Sequence, residues 1–395
     1  MISPLIKLRK INILLFFLTF MGCIYTIIST YLVHSFKKKN DNYLPIKQNT
    51  SLGVTLFKPL AGYEPLLYEA LKSFCDQDYP NLQVIFGLQD PNDPAKLVVE
   101  KLKKNYPNLD INIVIDTTIH GYNRKISNLI NMLPIAKYEI FIISDSDTHA
   151  PHKNYIQEML SEILKEKIGL VTSLYNALPS SASFIQALGS SYIDHQFLPG
   201  VLLSRWFGRQ DCLGATIAIR RSTLKNIGGF RVLLPYVADD AAMGKLIKSK
   251  GLDIAISPTI IQTTVSEKNL RSLYDHELRW NRTIFILEPL GFTFSFIQLP
   301  LFWCSLIVLF NPLTWVSWFS FLFCWLLKNL CYRSINNNLK FANYFTLLLC
   351  RDWLSAIIMI KSFFKSNIKW RGHIMTLENT PDSPITNVVN NHRFK

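Results

Sequence analysis

Two carboxylates one residue apart, Asp145 and Asp147, end a short apolar run, Tyr138-Glu139-Ile140-Phe141-Ile142-Ile143-Ser144. A run this short, rich in β-branched and aromatic residues, reads as a strand buried on both faces, the kind that builds parallel α/β sheets. Ligands of such sheets sit outside the carboxyl ends of the strands, which is where this pair falls. Residues i and i+2 of an extended chain point to the same side. Two carboxylates so placed suit a hard divalent cation that shares its other positions with phosphate oxygens. The same tripeptide also fits a solvated turn that caps the next helix, so its meaning depends on partners elsewhere.

Further groups of this kind recur along the chain. Asp90 follows the apolar run Leu82 to Leu88, in the loop Gln89-Asp90-Pro91-Asn92-Asp93-Pro94, where Pro94 suits the first turn of a helix. Gly121-Tyr122-Asn123-Arg124-Lys125-Ile126-Ser127-Asn128-Leu129 reads as a glycine turn and a helix start carrying two cations. That is either an anion site or a solvated basic face. In Ala238-Asp239-Asp240 an acidic pair opens a helix, a place where carboxylates also complement the dipole. His276-Glu277-Leu278-Arg279-Trp280 lies on an amphipathic segment.

The elements that must position these groups begin at Ser51, where short apolar runs alternate with amphipathic stretches as in βαβ units. Strands are expected at Val54 to Phe57, Leu82 to Leu88, Ile111 to Ile115 and Ile140 to Ile143. Others are expected at Gly169 to Ser173, Leu213 to Arg220 and Leu252 to Ser257, with helices over Glu64 to Phe74 and Ser183 to Phe197. The fold class is therefore α/β.

Around this domain the composition points to a membrane. The 395 residues pair a net charge of +14 with 49% hydrophobic residues, and no zinc finger, RNP pattern or basic heptad array suggests nucleic acid. Lysines and arginines instead flank apolar segments, as beside an anionic leaflet. Ile11 to Val33 carries no charge and is long enough for a retained membrane anchor, which needs about 20 apolar residues. Phe292 to Leu327 fits two spans turning at Asn311-Pro312, with Lys328 marking a cytoplasmic return. Phe341 to Phe364 carries Arg351 and Asp352 near its middle, which suggests a re-entrant or interfacial segment. The seven cysteines form no CxxC pair and read as packing residues. The expected organisation is a transmembrane anchor with a basic linker over residues 1–50 and a catalytic domain over 51–288. A transmembrane pair with a re-entrant or interfacial segment over 289–375 and a polar tail over 376–395 follow.

From about Val54 to Trp370 the chain resembles the inverting, membrane-bound ceramide glucosyltransferase family, and in motif detail its bacterial hopanoid-associated branch. Lys58-Pro59-Leu60, Gln89-Asp90 with Asp93-Pro94-Ala95, Asn123-Arg124-Lys125 with Ser127-Asn128-Leu129, Asp145-Ser146-Asp147, Ala238-Asp239-Asp240, Arg279-Trp280 and Trp370-Arg371-Gly372 all have counterparts in order. The resemblance implies a cytosolic GT-A (Rossmann-like) nucleotide-sugar domain, a UDP-sugar donor, a divalent metal (Mg²⁺ or Mn²⁺) and a membrane lipid acceptor with a free hydroxyl. It implies that Asp90 contacts the uridine, that Asp145 and Asp147 surround the metal-diphosphate and that Asp240 is the general base. Lys58 and Lys125 would serve the donor site. Arg279 and Trp280 end the motif [Q/R]xxRW, whose first position is His276 here, a departure shared with the hopanoid-associated branch and bearing on the acceptor. That branch would place the chain in a bacterial inner membrane. The leading expectation is transfer of one hexose, from UDP-glucose, to ceramide or another lipid hydroxyl. Hopanoid-type N-acetylglucosaminyl transfer, a processive polysaccharide synthase and a non-catalytic binder of nucleotide or anionic lipid are the alternatives.

Overall fold

In the computed structural model, which describes residues 4–41, 43, 52–335, 344–364, 367–370, 373–378 and 387–389, the apolar runs become strands. They are β1 (Val54–Pro59), β2 (Leu82–Leu88), β3 (Asp110–Ile115), β4 (Ile140–Ser144), β5 (Thr148–His149), β6 (Ile168–Thr172), β7 (Tyr175–Pro179), β8 (Thr216–Arg220), β9 (Asp253–Ile256) and β10 (Ile261–Val265). All belong to one of two compact units, which takes Asn40–Ser180, Gly208–Ser266 and Glu378–Lys395. Seven form a sheet in the order β3-β2-β1-β4-β8-β6-β9, and β5-β10-β7 make a smaller one. Alternate residues of each central strand feed two separate cores. Leu56, Phe86 and Ile142 pack with helices Leu67–Cys75, Ala95–Asn105 and Tyr155–Ile163. Phe57, Ile85 and Phe141 pack with helices Arg124–Met132 and Asp239–Ser249. Two buried faces explain why the runs are continuous rather than alternating.

Three features depart from the sequence expectation. The sheet is mixed, because β8 runs antiparallel to both β4 and β6. The helix expected from Glu64 starts at Leu67, since Leu66 takes a left-handed conformation (φ 60°) that no right-handed helix can include. The small sheet was not anticipated. Its β10 pairs with β5 on one side and β7 on the other.

The other unit takes Met1–Lys39, Ser181–Phe207 and Glu267–Leu377. Its helix Pro4–Asn40 contains, over Arg9–Asn40, the one uninterrupted stretch among the described residues that is long and apolar enough to cross a membrane. Pro289–Gln298 and Pro300–Phe310 meet that measure only together, and they are bent by 62° at the intervening residue. Leu299, which precedes a proline, leaves helical geometry there (φ −109°, ψ 58°). The turn expected at Asn311-Pro312 is present before helix Trp315–Ile335, which by itself does not reach that measure.

Lys328, read from the sequence as marking a solvent-facing return, is instead buried in an ion pair with Asp352. Helix Tyr344–Ser362 runs uninterrupted past Arg351 and Asp352. Ser181–Phe207 and helix Leu270–Leu287 pack with these apolar helices through Ala187, Leu188, Leu273 and Leu347. β11 (Asn367–Trp370) and β12 (His373–Glu378) pair antiparallel. Trp370 thus ends a strand, and Arg371 and Gly372 lie outside the described residues. Of the expected polar tail, Thr376 to Glu378 belongs to β12, Asn387–Val389 forms a strand and the remainder lies outside the described residues.

Candidate active site

The carboxyl end of β4 delivers Asp145-Ser146-Asp147 to the sheet edge, and three contacts hold the turn there. Asp145 N–H donates to Ala215 O (3.0 Å), Thr264 N–H to Asp147 O (2.9 Å) and Thr263 Oγ1 to Asp147 Oδ2 (2.9 Å). The last two come from β10, so the small sheet fixes the second carboxylate. Beneath the turn lies Lys58, fully buried, its ammonium 3.7 Å from the centre of the Phe74 ring. Its three protons go to Ser144 Oγ (3.0 Å), Asp145 O (2.7 Å) and Thr148 Oγ1 (3.0 Å). This geometry makes Lys58 a brace for the aspartates from inside the fold, where the sequence had placed it at the donor. Burial pulls its pKa down to about 7, against the pull of Asp147 and Asp145.

Lys125 is the cation that stands beside the carboxylates. Its Nζ lies 2.5 Å from Asp145 Oδ1 and donates to Gly214 O at 3.3 Å. Burial alone would lower its pKa, but Asp145, Asp239 and Asp240 hold the ammonium charged. Asn123 sets the helix that carries it. Its Oδ1 accepts from Ile126 N–H (3.0 Å) as an N-cap, and its Nδ2 donates to Tyr236 O (2.9 Å) and Asp239 Oδ1 (3.0 Å). One side chain thereby ties the start of helix Arg124–Met132 to the start of helix Asp239–Ser249. Asn128, one turn on, donates to Gly87 O (2.8 Å) at the end of β2.

Asp240 reaches the same place by a route the sequence concealed. Because β8 is antiparallel, its amino end lies at the edge where β4 ends, with Thr216 opposite Ser144. Gly214, just before it, is then beside Asp240, and a Cβ on that glycine would stand 2.9 Å from Asp240 Oδ2. Asp240 Oδ1 accepts from Ala241 N–H (2.8 Å), which leaves Oδ2 facing the glycine. Burial, then the neighbouring Asp239, pushes the Asp240 carboxyl up to about 6, against the pull of Lys125. Asp147 is likewise pushed up to about 6, by burial and then by the charges of Asp145 and Glu64. Glu64, which accepts from Ser146 Oγ (2.9 Å), is an acidic neighbour that sequence reading took for an ordinary helix start.

Asp90 lies exposed at the carboxyl end of β2, where its Oδ1 accepts from Asn92 N–H (2.8 Å). His276, Arg279 and Trp280 belong to the other unit and share helix Leu270–Leu287. There the imidazole meets the indole edge-on with centroids 4.4 Å apart, and His276 Nδ1 lies 2.5 Å from Glu267 Oε1. Tyr192 and Phe197 flank the same indole.

Among the described residues no three of His, Cys, Asp and Glu are gathered so as to hold a metal by themselves. The two aspartates satisfy a lesser demand, that of a cation held by one or two carboxylates and otherwise by phosphate oxygens. The fit is geometric: β10 holds the Asp147 carboxylate through Thr263, next to Asp145 and Glu64, so that carboxylates gather at the end of β4.

A sheet of this order with its acidic groups at one edge is the GT-A glycosyltransferase fold. The mannosyltransferase from Pyrobaculum calidifontis, solved in complex with GDP-Man and Mn²⁺, superposes with a TM-score of 0.53 at 15% identity, covering 90% of this chain and 99% of that one. The model of glycosyl transferase family 21 matches residues 14–382, and the chain belongs to that family as a hexosyltransferase. Ceramide glucosyltransferase 3 of Caenorhabditis elegans is 25% identical over 384 residues, 91% of this chain and 79% of that one. Ceramide glucosyltransferase of Candida albicans is 31% identical over 133 residues, 30% of this chain and 24% of that one.

Proposed function

We propose that this hexosyltransferase moves a single hexose, with inversion, from UDP-glucose to the hydroxyl of a ceramide-like lipid at the cytosolic face of a membrane. The observation that carries this reading is the place of Lys125, which pairs with Asp145 Oδ1 at 2.5 Å and donates to the carbonyl of Gly214, the residue beside Asp240 Oδ2. A group for the diphosphate and a group for the acceptor proton thereby stand on either side of Gly214 and Lys125. Asp145 and Asp147 would hold a divalent metal, which as a Lewis acid neutralises charge on the departing diphosphate. Lys125 adds a second positive charge beside it, and Asp90 at the end of β2 would meet the uridine. Asp240 Oδ2 takes the proton of the acceptor hydroxyl as that oxygen bonds to the anomeric carbon, and UDP leaves with the electrons of the broken bond. Trp280 offers an apolar face to sugar or acceptor, with His276 against its edge and Arg279 one residue before it. The N-terminal helix, with Ile13, Phe17 and Phe20 exposed, supports an enzyme that works at a membrane.

The test is an assay of the full-length protein in detergent with Mg²⁺ or Mn²⁺. UDP-glucose, UDP-galactose and UDP-N-acetylglucosamine are paired with ceramide, diacylglycerol and a hopanoid alcohol. Glucosylceramide as the main product supports the reading; turnover of UDP-N-acetylglucosamine with the hopanoid alcohol alone would replace it, and no product from any pair would end it. Trp280→Ala is expected to raise the KM for acceptor in a protein that still folds.

A further inference from the structure

Arg351 has no exposed surface, yet it sits in the middle of an apolar helix, Tyr344–Ser362. Its guanidinium makes four hydrogen bonds. Nη1 and Nη2 donate to Glu277 Oε1 and Oε2, each at 2.7 Å, as a parallel fork. Nη1 also donates to Leu188 O (3.1 Å) and Nε to Ser355 Oγ, whose hydroxyl in turn donates to Gln196 Oε1 (2.7 Å). The guanidinium carbon lies 5.4 Å from the centre of the Tyr192 ring.

Both ends of this cluster lead to Trp280. Glu277 follows His276 and lies one turn before Trp280 on helix Leu270–Leu287. Tyr192 accepts at its hydroxyl from Asn281 Nδ2 (3.2 Å), and its ring centre is 6.2 Å from that of Trp280. A buried ion pair is seldom the most stabilising choice for such a position, since well-packed apolar residues of like volume often do as well or better. What a two-pronged arginine supplies is direction, because a planar fork accepts a carboxylate in one orientation. With Glu277 held at both oxygens, rotating or sliding its helix would break the fork. A slip of one residue would turn every side chain by about 100°.

We propose that Arg351 is a positioning residue for the Trp280 platform: through the fork on Glu277 and the contact with Tyr192 it fixes the rotation of helix Leu270–Leu287, and with it the indole of Trp280 and the imidazole of His276. The proposal rests on the reading of Trp280 as an acceptor platform, and its test separates the two. Full-length Arg351→Lys, the double variant Arg351→Met/Glu277→Met and Trp280→Ala are compared with wild type in detergent. The readouts are kcat and the KM for a short-chain ceramide, the dissociation constant for UDP-glucose, and hydrogen exchange of residues 270–287.

Arg351→Lys keeps the charge and loses the fork. It is expected to raise the acceptor KM or lower kcat by about fivefold or more, as for a displaced positioning group. The affinity for UDP-glucose should stay within about twofold, while exchange over residues 276–282 rises. The double variant should show the same split more strongly. Acceptor kinetics within about twofold of wild type in either folded variant overturn the proposal, as does a parallel loss of UDP-glucose affinity, which would mark general unfolding. If the double variant is not recovered folded, Arg351→Lys decides alone. If Trp280→Ala leaves acceptor use unchanged, the platform reading fails; unchanged exchange over residues 276–282 in Arg351→Lys overturns the clamp whatever the kinetics.

Discussion

Two of the places where the molecule gathers charge treat it in opposite ways. Among the apolar helices, Arg351 meets Glu277 and Lys328 meets Asp352, cation for anion, with side-chain exposures of 0–4%. At the edge of the large sheet, Asp145, Asp147, Glu64, Asp239 and Asp240 surround two lysines, and both Asp147 and Asp240 are pushed up to about 6. Matched pairs fix geometry and are complete in the protein alone. At the sheet edge five carboxylates share two ammoniums, an excess of negative charge that a cation or a proton offsets. The contrast separates residues that hold the chain from residues proposed to work on a substrate.

The sharpest way to break the contrast is to remove the proposed base, Asp240. Asp240→Asn is expected to lower kcat by roughly 10²- to 10⁴-fold while UDP-glucose still binds, as steady-state kinetics and calorimetry would report. On the matched side, Arg351→Met leaves Glu277 buried and alone and should destabilise the protein by about 3–5 kcal/mol in denaturant unfolding. Adding Glu277→Met should return most of that, whereas no second substitution should restore the turnover of Asp240→Asn. Gly214→Ala comes next, because its methyl would press on Asp240 Oδ2. A fall in kcat of roughly 10- to 100-fold is expected, with the unfolding midpoint little changed.

The smallest effect is on pH. A base must be deprotonated to work, so kcat/KM should fall as pH drops through about 6. Since Asp239 is among the charges that raise Asp240, Asp239→Asn should move that acid limb to lower pH. The sign for stability is the reverse of the usual carboxylate case. With both carboxyls above the ordinary range near 4, the folded state holds protons that the unfolded chain has lost between about pH 4 and 6. These two groups therefore favour folding at the acid end of that window, and their contribution is lost as pH rises through 6. Unfolding midpoints of wild type and Asp147→Asn, compared at pH 4.5 and 7.5 without metal, would show the difference.

The sheet strands with two buried faces were legible because each is a continuous apolar run, and the carboxylates were legible because they interrupt such runs. The direction of β8 was not, since Thr-Ile-Ala-Ile-Arg reads alike either way and pairing alone decides it. That direction brings Gly214 to Asp240. β5 has two residues, too few for any period, but β10 shows the alternation of a half-buried strand and could have been found. Arg351 and Asp352 were visible as charges out of place. Their partners lie 74 and 24 residues away: Glu277 read as part of an amphipathic segment, and Lys328 as the mark of a cytoplasmic return. Lys58 could be placed at the site from its motif, but only the three acceptors around its ammonium reveal that it works from beneath.

The place of β8 also bears on how the chain is made. β1 to β4 can pair as they leave the ribosome, yet β4's other side stays open until Thr216–Arg220 has been synthesised, and β6 with β9 joins the sheet only through that strand. In the interval β4 is an edge of five residues that the finished protein buries completely. Bare apolar edges of this kind invite pairing with other chains. A nascent chain stalled before β8 is therefore expected to aggregate through the strand that delivers Asp145 and Asp147 to the sheet edge.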